Sequence, residues 1–185
     1  FTDTVDGAFD LTLTAGAGAI DLQAAAGSVD ALVNFAVISA ATADLDSVTA
    51  ADINVVADQI NLNGADYIAE NGNVVFDGPV DLTTNVSVDS STADGDITFT
   101  DTVDGAFDLT LTAGAGNVDL QSDVGATDAL TSLTINSAAD VDVVAVTAGT
   151  ITQLAGTGTT TVDGVMTANT GDILITTDRI VQNAD

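Results

Sequence analysis

Apolar and polar residues alternate along most of this chain in short runs. The runs AFDLTLT (residues 8–14) and DILITT (residues 172–177) place an apolar residue at every second position. A period of two is the pattern of a β-strand with one buried face. Turn-forming sequences such as Asp-Gly and Gly-Ala-Gly separate these runs. We therefore predict an all-β protein built from many short strands.

A five-residue motif recurs along the chain: a small residue, a polar one, an aliphatic, a variable residue and a large apolar one. Its copies begin at Gly18, Ala41, Gly72, Gly95, Gly116, Ala139 and Gly171. The third and fifth residues are apolar in these copies, whereas the fourth varies between residues such as Asp, Thr, Val and Leu. We predict that the following residues point inward and stack in two adjacent columns: Ile20, Leu22, Leu45, Val74, Phe76, Ile97, Phe99, Val118, Leu120, Val141, Val143, Ile173 and Ile175.

The spacing of the motif predicts a β-solenoid. Most successive starts lie 21 to 23 residues apart, but the gaps after Ala41 and after Ala139 are 31 and 32 residues. We interpret these gaps as turns that carry an extra loop, or an extra strand and corner. A β-sandwich also has many short strands, but it need not repeat the same buried positions at a near-constant spacing. The sequence thus favours a solenoid with roughly 21–32 residues per coil.

A longer repeat underlies the short one. Residues 1–23 return as residues 99–121 with two differences, Ala19 against Asn117 and Ile20 against Val118. We interpret residues 1–185 as a single continuous solenoid segment made of a 98-residue module (1–98) and its second copy (99–185). Phe1 falls inside a motif and neither end has the sequence of a cap, so we expect a fragment of a longer array, or coils that stack end to end.

Composition limits the partners. The chain has 28 acidic residues and one basic residue, Arg179, for a net charge of −27. Such a charge repels nucleic acid and acidic membrane surfaces, so cations and basic surfaces are the expected partners. There is no cysteine, which excludes disulfides and thiolate metal sites. No apolar run reaches the 18 residues of a membrane span, so we predict no membrane insertion.

Pairs of carboxylates raise the possibility of a glycan-active enzyme, since two carboxylates perform glycoside hydrolysis. The pairs two residues apart are Asp44/Asp46, Asp94/Asp96 and Asp140/Asp142. The chain has no histidine to act as a base near neutral pH, and only Arg179 to hold an acidic sugar. We therefore interpret the pairs as solvated residues of an outer face, predict that the protein is not an enzyme, and assign no catalytic, cofactor-binding or metal-binding residue.

Threonine runs and stacked aspartates are candidate binding surfaces. The Thr-x-Thr runs lie at Thr12/Thr14, Thr98/Thr100/Thr102 and Thr110/Thr112. Ice binding requires such runs on one face of many coils, and Asp residues interrupt them here. The fourth motif position predicts stacked carboxylates at Asp21/Asp44 and at Asp119/Asp142. Their repulsion suggests stabilisation by Ca²⁺, whose ligands are hard oxygens, or by salt; simple screening in water is the alternative. No cofactor is predicted.

Two long stretches point to a family. Residues 95–138 (GDITFTDTVDGAFDLTLTAGAGNVDLQSDVGATDALTSLTINSA) and 151–178 (ITQLAGTGTTTVDGVMTANTGDILITTD) resemble the repeats of very large filamentous-haemagglutinin-like surface proteins of bacteria. Since residues 1–40 match residues 99–138, the resemblance covers most of the chain. It implies a right-handed parallel β-helix, secretion, and a role in surface display or adhesion.

The leading functional expectation is a structural, non-catalytic segment of an extracellular adhesin or surface fibre. An acidic, cation-stabilised matrix, filament or surface-layer protein is the alternative, and a glycan-active β-helix enzyme is a remote one. The expected partners are neighbouring coils or other copies of the protein, end to end or side by side, together with cations, glycans or host and cell surfaces. The expected location is extracellular, at the cell surface.

Overall fold

Parallel strand pairs stack throughout residues 1–183, the part of the chain that the computed structural model describes. They form a β-solenoid of about 8 turns with about 21 residues per turn, and no helix occurs among these residues. The predicted all-β solenoid is therefore confirmed. In residues 1–183 we find no helix able to span a membrane.

Each turn has three faces, which the chain visits in the order face 3, face 1, face 2. The strands of face 1 are β1 (Asp10–Thr14), β3 (Leu32–Ser39), the second part of β5 (Val48–Val56), β8 (Val74–Asp77), β11 (Ile97–Phe99), β14 (Val118–Leu120), β16 (Val141–Val143), β18 (Thr159–Val162) and β21 (Arg179–Gln182). Those of face 2 are β2 (Ala19–Asp21), β4 (Thr42–Leu45), β6 (Ile60–Leu62), β9 (Val80–Leu82), β12 (Val103–Asp104), a bridge at Val124, the first part of β17 (Val146–Gln153) and β19 (Met166–Ala168).

Face 3 begins with isolated bridges at Val5 and Ala26. It continues through the first part of β5, β7 (Asp66–Ala69), β10 (Val86–Asp89), β13 (Asp108–Thr112), β15 (Leu130–Ser137), the second part of β17 and β20 (Ile173–Ile175). Because β5 and β17 each bend around a corner, they join neighbouring faces into a continuous hydrogen-bonded sheet.

The alternating sequence places one side chain in two inside the solenoid. On face 1 the register stacks one inward column in this order: Leu11, Phe35, Ile53, Val74, Ile97, Val118, Val141, Thr160 and Ile180. The interior members of this column are buried, whereas Leu11 is half-buried and Ile180 is exposed, because they lie in the two end turns. Equivalent aliphatic columns on the other faces fill the rest of the core.

Aromatic side chains pack together in the middle of the core. The ring centroids of Tyr67 and Phe76 are 5.7 Å apart, and those of Phe76 and Phe99 are 5.1 Å apart. The hydroxyl of Tyr67 donates to the carbonyl of Leu45 (2.7 Å). Burial raises the pKa of Tyr67 well above its usual range, so this hydroxyl remains protonated. The buried phenol thus ties face 3 to face 2 across the core.

The motif residues do not all share two columns, so that part of the sequence prediction is wrong. Ile20 lies on face 2, Val74 and Ile97 lie on face 1, and Ile173 lies on face 3, where it is 44% exposed in the last turn. The long gaps explain the difference. Between Ala43 and Val74 the chain completes one turn and then crosses two further faces. The longer gaps therefore contain extra strands and corners rather than an extra loop.

The 98-residue module does not close on a whole number of turns. From Leu11 to Ile97 the chain makes four turns on face 1, and it then crosses face 2 to reach Leu109 on face 3. One module therefore spans four and two-thirds turns of about 21 residues. As a result, the two nearly identical 23-residue stretches build different faces of the same solenoid.

Candidate functional site

An alternating column of Asp and Asn runs along the corner that leads into face 1. We call it the Asp/Asn ladder. Its members in order are Asp10, Asn34, Asp52, Asn73, Asp96, Asn117 and Asp140, followed by Thr159 and Arg179. Each member directly precedes a residue of the face 1 column that begins at Leu11. The column therefore crosses every turn of the described solenoid.

Side-chain oxygens of the Asp/Asn ladder accept hydrogen bonds from the backbone of the next turn. The N–H of Asn73 donates to Asp52 Oδ1 (2.9 Å), that of Asp96 to Asn73 Oδ1 (2.8 Å), and that of Asn117 to Asp96 Oδ1 (2.7 Å). The same contact continues to Asp140 and Thr159. These short polar side chains satisfy backbone donors at a corner, where the ladder of strand hydrogen bonds is interrupted.

The alternation of Asp and Asn also increases the distance between the carboxylates of the ladder. Neighbouring turns lie about 4.8 Å apart, so carboxylates on every second turn are separated by about twice that distance. Coulomb repulsion falls in inverse proportion to separation, so it is roughly halved relative to carboxylates on adjacent turns. A neutral Asn amide, such as Asn34 Nδ2 donating to Asp10 Oδ1 (2.6 Å), lies between them. The ladder thus tolerates four acids in one column.

The ladder borders an open depression on face 1. Its volume is about 480 Å³, and its lining includes Asp10, Asn34, Asp52, Asn54 and Asn73. Carboxylate and amide groups of this kind suit sugar hydroxyls or hydrated cations. One oxygen of Asp10 and one of Asp52 already accept protein hydrogen bonds. What the depression offers is a polar contact surface.

A second acidic cluster lies at the corner that follows face 2. Partial desolvation of the Asp81 carboxyl raises its pKa, and the negative charges of Asp104 and Asp128 raise it further. Asp81 and Asp128, together with Phe107, line a depression of about 520 Å³. Asp104 Oδ1 accepts the N–H of Thr127 (2.8 Å), so that carboxylate is engaged in holding the corner.

The carboxylate pairs predicted from the sequence are dispersed over the surface. Asp44 lies on face 2, where its Oδ1 accepts from Asn61 Nδ2 (2.6 Å). Asp94 lies at the corner that precedes face 1, where its Oδ1 accepts the N–H of Ala115 (2.8 Å). Asp96 and Asp140 belong to the Asp/Asn ladder. In each of these cases a carboxylate accepts a hydrogen bond from the next turn, so its role is structural.

The predicted stacked acids are adjacent, but each stack is only two residues deep. Asp21 pairs in register with Asp44, and Asn61 follows on the next turn. Asp119 pairs with Asp142, and threonines lie on the turns on either side. Within residues 1–183 the structure contains no group of three or more acidic side chains that are close enough together to hold a metal ion.

The threonine runs identified in the sequence lie on different faces. Thr12 and Thr98 are on face 1, whereas Thr110 is on face 3. The register shows a hydroxyl column that the runs did not reveal: Ser87, Thr110, Thr134 and Thr152 align on four adjacent turns of face 3. Asp66 precedes this column and Leu174 follows it, so it stops within the solenoid.

Sequence analysis missed the Asp/Asn ladder, although a signal was present. Asn73, Asp96, Asn117 and Asp140 all occupy the second position of the five-residue motif. The alternation of Asn and Asp at that position is the sequence signal of the ladder. Asp10, Asn34 and Asp52 lie outside the motif copies, so only the strand register adds them to the column.

Searches of family models, of curated proteins and of solved structures found no match to this chain.

Proposed function

We propose that this chain is a structural, non-catalytic segment of an extracellular adhesin or surface fibre. The observation that carries the proposal is the unbroken stacking of three parallel faces through all the described turns. Such a stack converts chain length into a straight, rigid element with a solvent-exposed polar surface. The resemblance of residues 95–138 and 151–178 to filamentous-haemagglutinin-like repeats also supports a role in surface display.

The polar surface agrees with this role. The acidic pairs and the ladder carboxylates named above hold neighbouring turns together through hydrogen bonds. A net charge of −27 keeps such a rod soluble and separate from acidic surfaces. The depression beside the Asp/Asn ladder provides a place where glycans or hydrated cations of a partner surface can bind.

Immunogold electron microscopy of intact source cells tests the proposal. Antibodies raised against the 185-residue chain are expected to label thin fibres that project from the cell surface. Labelling of a continuous surface layer favours instead an acidic, cation-stabilised matrix or surface-layer protein, a role that the stacked acid pairs support. Labelling confined to the cell interior contradicts both proposals. Release of sugars from a glycan panel by the purified chain contradicts a non-catalytic role.

A further inference from the structure

Two Asn-Gly dipeptides lie at corners inside the solenoid. Asn63 and Gly64 follow β6 on face 2, whereas Asn71 and Gly72 lie between β7 on face 3 and β8 on face 1. Both β6 and β8 pair with a strand of the preceding turn and a strand of the following turn. The surroundings of the two dipeptides are therefore those of the continuous solenoid.

Asparagine followed by glycine can lose its side-chain amide without any enzyme. Hydroxide removes the glycine N–H proton, and the nitrogen attacks the asparagine Cγ to close a succinimide ring while ammonia leaves. Water then opens the ring at either carbonyl and gives aspartate or isoaspartate, so one ammonia is exchanged for one water overall. Glycine has no side chain to hinder the ring closure. A glycine N–H that already donates a hydrogen bond resists the first step, because that bond must break.

The hydrogen bonds around Asn63 and Gly64 oppose this reaction. The Gly64 N–H has two acceptors, the carbonyl of Leu45 (3.2 Å) and the hydroxyl of Tyr67 (3.3 Å). The side chain of Asn63 is held as well, since its Oδ1 accepts from Thr83 Oγ1 (2.8 Å). Gly64 is also buried, which limits the access of hydroxide and water to its nitrogen.

Asn71 and Gly72 lack such contacts. Within residues 1–183, neither the Gly72 N–H nor the Asn71 side chain forms a hydrogen bond with the protein. Asn71 is exposed and Gly72 is only half-buried, so solvent reaches both reacting groups. The two dipeptides have the same sequence but differ in every contact that controls ring closure.

Packing against the Asp/Asn ladder explains why glycine occupies position 72. A Cβ added at Gly72 would collide with the carboxylate of Asp52 on the preceding turn. That carboxylate is a ladder member, and its Oδ1 accepts the N–H of Asn73 (2.9 Å). Asn73 and Asn117 of the ladder itself are each followed by valine, whose branched side chain hinders the same reaction. The ladder therefore requires a glycine directly after Asn71.

The corresponding glycines of the next two turns are not reactive in this way. Gly95 and Gly116 occupy the same motif position as Gly72, but they follow an aspartate and an alanine. Their N–H groups donate to the carbonyls of Ser90 (3.0 Å) and Ala113 (2.9 Å). Of these three glycines, Gly72 alone combines a preceding asparagine with an N–H that makes no hydrogen bond to the described chain.

We propose that Asn71–Gly72 is a site of spontaneous deamidation through a succinimide in the folded protein, and that Asn63–Gly64 is protected. The product adds one negative charge to the net charge of −27, next to Glu70. Isoaspartate also adds one backbone atom to the corner between face 3 and face 1. The inference goes beyond the proposed structural role, because it identifies a chemical change that accumulates with time in the solenoid whatever its partners are.

Peptide mapping of the folded 185-residue chain tests the proposal. A protease that cleaves before aspartate releases the two sites in separate peptides, residues 58–65 and 66–76, for mass spectrometry. During incubation between pH 7 and pH 9, we expect Asn71 to deamidate at least tenfold faster than Asn63, and faster at the higher pH. In guanidinium chloride the protecting contacts are lost, and we expect the two rates to agree within about threefold. Methylation by a protein isoaspartate methyltransferase identifies the isoaspartate product.

Glutamine variants are the matched controls, because the longer side chain closes its ring far more slowly. Asn71→Gln is expected to abolish the acidic species that anion-exchange chromatography resolves after incubation, whereas Asn63→Gln is expected to leave their rate of formation unchanged. Circular dichroism establishes that both variants are folded.

Three results overturn the proposal. The first is an Asn71 that stays intact in the folded chain over a period in which the unfolded chain reacts. The second is deamidation of Asn63 and Asn71 at equal rates in the folded chain. The third is formation of the acidic species at the wild-type rate in Asn71→Gln. None of these results bears on the labelling of surface fibres, so the proposed structural role is judged separately.

Discussion

Identical residues have different environments at the two copies of the repeat. Phe1 and Phe99 belong to the same sequence stretch, yet Phe1 is 53% exposed and Phe99 is fully buried. Phe99 contacts Phe76, whose ring centroid is 5.1 Å away. Phe1 lies in the first turn, where the described chain places no turn beneath it. A comparison of Phe1 with Phe99 therefore measures the energetic effect of burial within one protein.

Replacement of Phe99 by alanine is expected to lower the free energy of unfolding by about 3–5 kcal/mol, because it leaves a cavity in a close-packed core. Phe1→Ala is expected to change it by less than about 0.5 kcal/mol, the usual range for surface substitutions. Urea unfolding followed by circular dichroism measures both variants at a concentration where the chain is monomeric. Equal losses in the two variants contradict the burial difference.

Asp81 is expected to weaken the fold at neutral pH. Its pKa is raised above the ordinary value of 3.8, so ionisation is harder in the folded than in the unfolded state. The associated loss of stability is absent well below pH 3.8 and is complete once pH exceeds the raised folded-state pKa. Asp81→Asn is therefore expected to stabilise the protein at pH 7, by less than about 1 kcal/mol because the side chain is exposed.

The measurement for Asp81→Asn is the unfolding midpoint of the variant and of the wild type between pH 3 and pH 8. The advantage of the variant is expected to shrink as the pH falls. Asp58→Asn, at an exposed corner, removes the same charge and serves as the control. An advantage that persists unchanged at the acidic end contradicts the assigned cause.

At the level of elements, strand register decides which polar residues become neighbours. The Asp/Asn ladder draws one residue from the start of each face 1 strand or from the position just before it, so residues about 20 positions apart in sequence contact each other. Asn117 is one of the two positions that differ between the repeat copies, and its counterpart is Ala19. Asn117 belongs to the ladder on face 1, whereas Ala19 lies on face 2 beside Thr42. The substitution follows the face that each copy occupies.

Asn117→Asp places three carboxylates on adjacent turns, between Asp96 and Asp140. Two new contacts at about 4.8 Å in a largely aqueous environment are expected to destabilise the protein by about 1–2 kcal/mol at low salt. Thermal unfolding at 10 mM and at 500 mM sodium chloride measures the effect, which is expected to shrink at high salt. Asn169→Asp, at an exposed position outside the ladder, is the matched control. A loss that does not depend on salt contradicts an electrostatic origin.

At the scale of the whole molecule, the length of the repeat and the length of a turn together decide which face each copied strand occupies. A 98-residue module of four and two-thirds turns moves each copied strand to another face. Three modules return the pattern to its starting face. Acidic positions therefore spread around the solenoid instead of lining up in one long column of like charge.

We expect cations to stabilise the protein by screening the repulsion between its carboxylates, and not by binding at specific sites. Acids on adjacent turns occur in pairs such as Asp21/Asp44 and Asp119/Asp142, whereas Ca²⁺ takes six to eight oxygen ligands. Adding sodium chloride or calcium chloride at matched ionic strength to a low-salt EDTA buffer is expected to raise the unfolding midpoint equally. The rise corresponds to about 2–4 °C for each kcal/mol of relieved repulsion. A larger rise with calcium than with sodium indicates specific calcium sites.

The sequence by itself determined the strand character of the chain and the kind of fold. Runs such as residues 8–14 alternate because a strand sends successive side chains to opposite faces, and a near-constant spacing allows like residues to stack. These are local properties, so they can be read without knowing which strands pair. The inward orientation of Val74, Phe76, Ile97 and Phe99 was predicted on this basis and is confirmed.

Only the tertiary structure decided which face of the solenoid each strand occupies. The number of residues in each corner varies, so a motif spacing does not reveal whether a gap crosses three faces or five, as it does between Ala43 and Val74. The membership of the Asp/Asn ladder, from Asp10 to Arg179, depends on that count. Register is fixed by burial of the apolar columns against each other, an interaction between distant residues that the order of residues alone does not specify.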